Sequence, residues 1–283
     1  MTSVISFQHA RGGSGTSLIS MISAKILSSF GKVALLEMDF LNPLLHQVFP
    51  QKTLKAHVND FIFGEASLDD VLVDVGQEVD AKPKNFWVAY MNPLEGARKR
   101  MEFADATRDK RITKTFENVS WRVEGMPLDF VMLDMAPWSN YLNDITSIIS
   151  DVVFFIIRPS RLELTLFLHR YATQLSRIIA KVVPIINFCP SDDEEYVQMI
   201  IKRLQENCPE CKNVITIPYY QDLASGPSKK LIKDCSHPIC RDLSKAILSP
   251  VPREKPFFKN SKNHETNGLV ERLQAIHYPE KTP

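Results

Sequence analysis

The segment Ala10-Arg11-Gly12-Gly13-Ser14-Gly15-Thr16-Ser17 has the composition of an anion-binding turn. Glycines let the main chain approach a ligand closely and adopt positive φ. Where such a turn feeds a helix, successive backbone N–H groups point at one spot and the helix end adds partial positive charge. That arrangement suits a phosphate. Carboxylates follow at two places. Glu37 and Asp39 close the apolar run Val33-Ala34-Leu35-Leu36, and Asp134 closes Phe130-Val131-Met132-Leu133. Carboxylates in such positions hold Mg²⁺, directly or through water, opposite a Ser or Thr hydroxyl. Taken singly, each feature has a plainer reading: a turn that binds nothing, or a solvated strand end. Their order along the chain favours the joint reading, a phosphate and a metal in one crevice.

The elements that position these residues follow from apolar periodicity. Short apolar runs alternate with longer segments of helical period, which predicts βαβ units in a doubly wound, mostly parallel sheet flanked by helices, an α/β fold. Strands are expected at Val4–Phe7, Val33–Glu37, Phe86–Met91, Phe130–Asp134, Val152–Ile157, Val183–Phe188 and Val214–Ile217. Several are apolar nearly throughout, as strands covered on both faces are. A helix is expected from Ser17 to Phe30, with Leu18, Ile22, Ile26 and Phe30 on its buried face and Gly31 ending it. Ser191 and Glu194 have the spacing of a capping box for a helix running through Leu204. In an open parallel sheet, ligands sit beyond the carboxyl ends of the strands. The loop and the three carboxylates therefore converge.

The chain has 283 residues, enough for one large α/β domain, expected over residues 1–248. Residues 249–283 read as a linker, with Pro250, Pro252 and Pro256, followed by a short amphipathic helix over 268–277 that carries Leu269, Val270, Leu273 and Ile276. A composition 44% hydrophobic and 24% charged is that of a globular protein. A formal net charge of +1 supplies no general attraction to nucleic acid. No apolar run reaches the roughly 20 residues needed to cross a bilayer, and no secretory signal is evident. Five cysteines without secretory features fit reduced thiols in a cytoplasmic protein.

The motif order over most of residues 3–248 resembles the MinD/ParA class of P-loop ATPases, whose loop reads Lys-Gly-Gly-x-Gly-Lys-Thr. Asp39-Phe40-Leu41-Asn42-Pro43 resembles that family's second motif, and Asp134 matches its Walker B aspartate. Val183–Asn187 resembles the strand whose asparagine contacts adenine, and Ile217-Pro218 a later adenine-side turn. The form Gly-Gly-Ser-Gly-Thr-Ser is most similar to the TadZ/CpaE branch, which positions pilus and secretion machinery at a cell pole. Three residues depart from the family pattern. Arg11 stands at the family's first lysine, Thr16 at the lysine that reaches the β- and γ-phosphates, and Glu37 at an aspartate.

The resemblance implies ATP and Mg²⁺ as ligands. The loop residues Arg11, Gly12, Gly13, Ser14, Gly15, Thr16 and Ser17, with Asn187 and Pro218, would surround the nucleotide. Ser17 and Asp134 would hold the metal, and Asp39 would orient the attacking water. Without the loop lysine, hydrolysis is expected to be slow or absent, with Arg11 as the substitute cation. A nucleotide-dependent homodimer is implied, docking on pilus, secretion or division machinery at a cell pole or at the inner face of the membrane. The alternatives are a scaffold that binds no nucleotide and a DNA-partition ATPase.

Three weaker signals accompany this reading. Cys208 and Cys211 have the spacing of a zinc half-site, with Cys235, His237 and Cys240 downstream; a local disulfide is an alternative, and free thiols are the plainer expectation. The basic cluster Arg98-Lys99-Arg100, Arg108, Lys110, Arg111 and Lys114 is interspersed with acids, as on a solvated helix face, with DNA as the sharper alternative. The stripe over 268–277 suits docking on protein; peripheral membrane contact is the alternative.

Overall fold

The computed structural model describes residues 2–102, 106–137, 140–224 and 226–250. The strands are β1 (Ser3–His9), β2 (Val33–Met38), β3 (Leu72–Asp74), β4 (Phe86–Ala89), β5 (Arg122–Val123), β6 (Met126–Pro127), β7 (Phe130–Met135), β8 (Val152–Ile157), β9 (Lys181–Cys189) and β10 (Ile215–Pro218). Helices follow as α1 (Thr16–Leu27), α2 (Leu45–Val48), α3 (Val58–Ile62), α4 (Leu68–Val71), α5 (Glu95–Glu102), α6 (Ala106–Asn118), α7 (Asn140–Ile149), α8 (Arg161–Thr173), α9 (Glu194–Asn207), α10 (Lys229–Asp234) and α11 (Pro238–Leu248). One eight-stranded sheet runs β10-β9-β8-β1-β7-β2-β4-β3. Its pairings are parallel except for the β3 edge, which is antiparallel to β4.

Strand alternation divides the apolar residues between two layers. Ile5, Phe7, Leu35, Phe154, Ile156, Val183 and Ile185 pack on the face covered by α1 and α11. Val4, Ala34, Leu36, Val131 and Leu133 face α3, α6 and α7, while Val153, Phe155, Ile157 and Ile186 face α8 and α9. Both faces are covered, which is why β2, β7 and β8 are apolar with little alternation.

Two local expectations are corrected. The first helix ends at Leu27, and Phe30 is 59% exposed rather than on the buried stripe. Gly31 is needed there for closeness: a Cβ would lie 2.7 Å from the Asp129 side chain, whose Oδ2 accepts the Lys32 N–H at 2.8 Å. The cap of α9 is Asp193, accepting the Tyr196 N–H, two residues later than Ser191 would give. The β3 edge and the β5–β6 hairpin are too short to leave a periodic signature.

Candidate functional site

The loop between β1 and α1 is built to leave backbone donors open. Gly13 and Gly15 both take positive φ, 79° and 84°. Gly15 is the N-cap of α1, so no side chain caps that helix and its first-turn N–H groups are free for an anion. Close packing also demands glycine here: a Cβ on Gly15 would lie 2.4 Å from Asn187 Nδ2 and 3.1 Å from Phe188 Cζ. The buried helix behind the loop satisfies its own serines. Ser20 and Ser23 donate to the Ser17 and Ile19 carbonyls at 3.0 and 2.6 Å.

Register places the acids beside this loop. Phe7, Asp134 and Glu37 are partners across β1, β7 and β2. In-register parallel partners share a face, so Asp134 and Glu37 point to the same side as Phe7, which packs under α1. Asp39, two residues beyond Glu37, lies on the same side of the strand path.

Asp134 is 2% exposed, and the Ser17 and Ser20 hydroxyls lie beside it. Its Oδ1 nonetheless has no hydrogen-bond partner among the described residues. Burial pushes its pKa well above the ordinary carboxylate range. The two hydroxyls oppose that rise, and the charges of Asp39 and Glu37 add to it. A buried acid with an unpartnered oxygen beside a hydroxyl fits a divalent cation. The donor set is all oxygen, as Mg²⁺ requires.

Asp39 spends one oxygen on structure: Oδ1 accepts the Leu41 and Asn42 N–H groups at 2.9 and 3.0 Å. Burial raises its pKa against those bonds. Glu37 is a staple. Its Oε1 accepts from Leu44 and Leu45 at 2.5 and 2.7 Å, and its Oε2 accepts from Met91 at 3.0 Å. Burial pushes its pKa up to about 7, against the pull of those three donors. The segments it joins form the walls of a cleft of about 460 Å³ beside the turn after Asp39, between Pro43–Gln47 and Asn92–Leu94.

The remaining loop residues are distributed as follows. The Thr16 and Ser14 hydroxyls hydrogen-bond to each other at 2.8 Å, so Thr16 turns away from the lysine's task. Asn187 Nδ2 donates to the Ser14 carbonyl at 2.8 Å, tying β9 to the loop. Pro218 ends β10 opposite Cys189, at the outer side of that strand pair. Gly12 and Arg11 are exposed, and Arg11 has no ion-pair partner among the described residues.

Two residues without a motif of their own also border this loop. His9, the last residue of β1, is buried, and burial lowers its pKa to about 4, so it is neutral there. Arg158 follows the end of β8 and reaches the loop: its Nη1 lies 4.0 Å from where a Gly13 Cβ would stand. The signal for Arg158 was an arginine directly after an apolar strand, at the sheet edge where ligands gather.

The weaker signals resolve into separate places. Cys208 and Cys211 pack with α8 and α9, whereas Cys235 and Cys240 pack with α1 and α11 on the opposite face. Among the described residues no group of three or more His, Cys, Asp or Glu side chains gathers to hold a metal as zinc would need. In the basic cluster, Arg98 pairs with Glu102, Lys99 with Glu95, Arg100 and Arg111 with Glu65, and Arg108 with Asp109. Such pairing is that of a solvated helix face. The amphipathic segment 268–277 lies outside the described residues. No described helix is long and apolar enough to cross a membrane.

No protein-family model matches the sequence, and no curated protein matches it. Solved structures do match in fold. A plasmid partition protein from Borrelia burgdorferi bound to AMPPNP has TM-score 0.65 and 15% identity over 88% of this chain and 98% of its own. The septum site-determining protein MinD of Pyrococcus horikoshii with Mg-ADP has TM-score 0.64 and 15% identity, covering 87% and 96%. An McdA–ATP complex from Cyanothece has TM-score 0.67 and 12% identity, covering 90% and 99%. The fold is that of MinD/ParA-type P-loop ATPases.

Proposed function

We propose that this chain is a positioning switch that binds ATP with Mg²⁺ and hydrolyses it slowly or not at all. The observation that carries the reading is Asp134, a buried carboxylate with an unpartnered oxygen, set beside Ser17 at the foot of an uncapped helix. The fold neighbours support it, since those named above were solved with AMPPNP, Mg-ADP and ATP.

In this reading the backbone N–H groups from Gly12 to Ser17 take the phosphates, and Asn187 and Pro218 border the base. Ser17 would hold Mg²⁺ with Asp134, which acts through a coordinated water. When bound, the metal neutralises charge on the phosphates. Asp39 holds the attacking water through the oxygen it does not spend on its own turn. Thr16 offers no cation to the transferring group, and losing one such electrostatic contributor lowers the rate by roughly 10²–10³. Binding depends mainly on the loop and the metal, so occupancy survives where turnover does not.

Nucleotide occupancy then selects a homodimer that docks on pilus, secretion or division machinery, in the manner of the TadZ/CpaE branch. Sedimentation of the full chain tests this. The expected result is a shift from one chain's mass to two with Mg-ATP and not with Mg-ADP. An unchanged mass at saturating Mg-ATP would remove the dimer switch.

A second reading has its own observation. The loop satisfies part of itself through the Ser14–Thr16 and Asn187–Ser14 hydrogen bonds, as a scaffold with no nucleotide would. In that case Mg-ATP leaves both mass and stability unchanged.

A further inference from the structure

We propose that Arg158 is the cation that contacts the phosphates held by the loop, in place of the lysine that Thr16 replaces. The inference rests on the nucleotide-binding reading and assigns it a residue. β8 lies beside β1, with His9 opposite Ile156, so the chain after Ile157 emerges level with the start of the loop. From there Arg158 extends over the loop, its Nη1 4.0 Å from the Cβ position of Gly13. The guanidinium thus stands within van der Waals reach of the loop at Gly13, whose φ of 79° favours glycine.

The side chain is anchored from behind. Glu163, in the first turn of α8, accepts Arg158 Nε at 2.6 Å through Oε1 and the Arg158 backbone N–H at 2.8 Å through Oε2. Glu163 is itself 1% exposed, and its own N–H donates to Ser160 Oγ at 3.2 Å. A buried carboxylate that accepts from both the Arg158 backbone and its Nε fixes one edge of the guanidinium. Were Arg158 only a counter-ion, the forked bidentate pairing would serve Glu163 better. Instead the pairing uses Nε alone. Neither Nη nitrogen has an acceptor among the described residues, and the side chain is 39% exposed. Those two nitrogens form the fork that grips phosphate oxygens.

The competing candidates are less prepared. Arg11 is exposed on the loop with no partner to orient it, and the Thr16 hydroxyl is engaged with Ser14. Orientation before binding reduces the ordering cost that a free side chain carries.

The test is calorimetric titration of ATP, ADP and AMP, each with Mg²⁺, into wild type, Arg158→Ala and Arg11→Ala. Arg158→Ala is expected to weaken ATP binding by about 10–100-fold, the range for a charge-assisted hydrogen bond, and AMP by less than about threefold. A purely structural role would weaken all three nucleotides alike. Equal ATP affinity in wild type and Arg158→Ala overturns the proposal and leaves the nucleotide reading standing. So does a larger loss from Arg11→Ala than from Arg158→Ala. No ATP binding by wild type is a different failure, that of the nucleotide reading itself. Should Arg158→Ala not fold, Arg158→Lys keeps a cation for Glu163 but not the fork. It is then expected to lose about threefold or more for ATP with AMP unchanged, and unchanged ATP affinity overturns the proposal.

Discussion

Replacing Asp134 by asparagine will raise the melting temperature of the nucleotide-free protein and abolish the further rise that Mg-ATP gives the wild type. Both effects come from one carboxyl group. Asp134 is fully enclosed, it faces the charges of Glu37 and Asp39, and its Oδ1 finds no donor among the described residues. Above the pH at which Asp134 ionises, a neutral group of the same shape removes the cost of burying that charge. A gain on the order of 1 kcal/mol would move the midpoint by roughly 2–4 °C. On the proposed reading the same substitution removes the charge that would attract Mg²⁺.

The pH dependence follows with a fixed sign. A carboxyl whose pKa is raised by folding binds protons more readily in the native state. Its contribution to stability is therefore fully present below the unfolded pKa and lost as pH rises through the folded one. The metal needs the ionised form, so Mg²⁺ must weaken on acidification. Differential scanning fluorimetry of wild type and Asp134→Asn, with and without Mg-ATP, reads all of this. A lower midpoint for nucleotide-free Asp134→Asn would contradict the account of the site.

Arg170→Ala will cost the fold roughly 3–5 kcal/mol, the range for stripping one partner from a buried ion pair. Arg170 Nη2 meets Asp144 Oδ1 at 2.6 Å, with side chains 3% and 1% exposed. Burial lowers the arginine's pKa, and the Asp144 charge opposes the shift. The pair joins α7 to α8 across the layer that backs β8. Removing the arginine takes the ion-pair partner from a carboxylate only 1% exposed, whereas Asp144→Leu with Arg170→Met removes the charges together. The double variant should recover most of the loss, because replacing a whole buried pair by packed apolar groups is often neutral. Urea denaturation of the single and double variants measures the difference. Losses that simply add would contradict it.

How much of this was legible beforehand varies by element. The ends of β2 and β7 could be read because an apolar strand that terminates in an acid marks both the strand and its ligand-side end. The register that pairs Glu37 with Asp134 then places both on one face. The glycine loop was readable for a similar reason, since few residue types allow the dihedrals it uses. The loop's supports were not. Asn187 also donates to the Ser14 carbonyl, and that tie depends on how β9 meets the loop, across 173 positions of sequence. Arg158 and Glu163 form their pair through a strand-to-helix corner whose geometry composition does not encode. Helical period continues to Phe30, three residues past the end of the helix at Leu27, so the pattern alone does not place that residue.

Calorimetric titration of ATP into the wild-type chain, with and without Mg²⁺, tests the central claim most directly. The account predicts saturable binding of one ATP per chain that strengthens when Mg²⁺ is present. No heat of binding at millimolar ATP, with Mg²⁺ in excess, would contradict it.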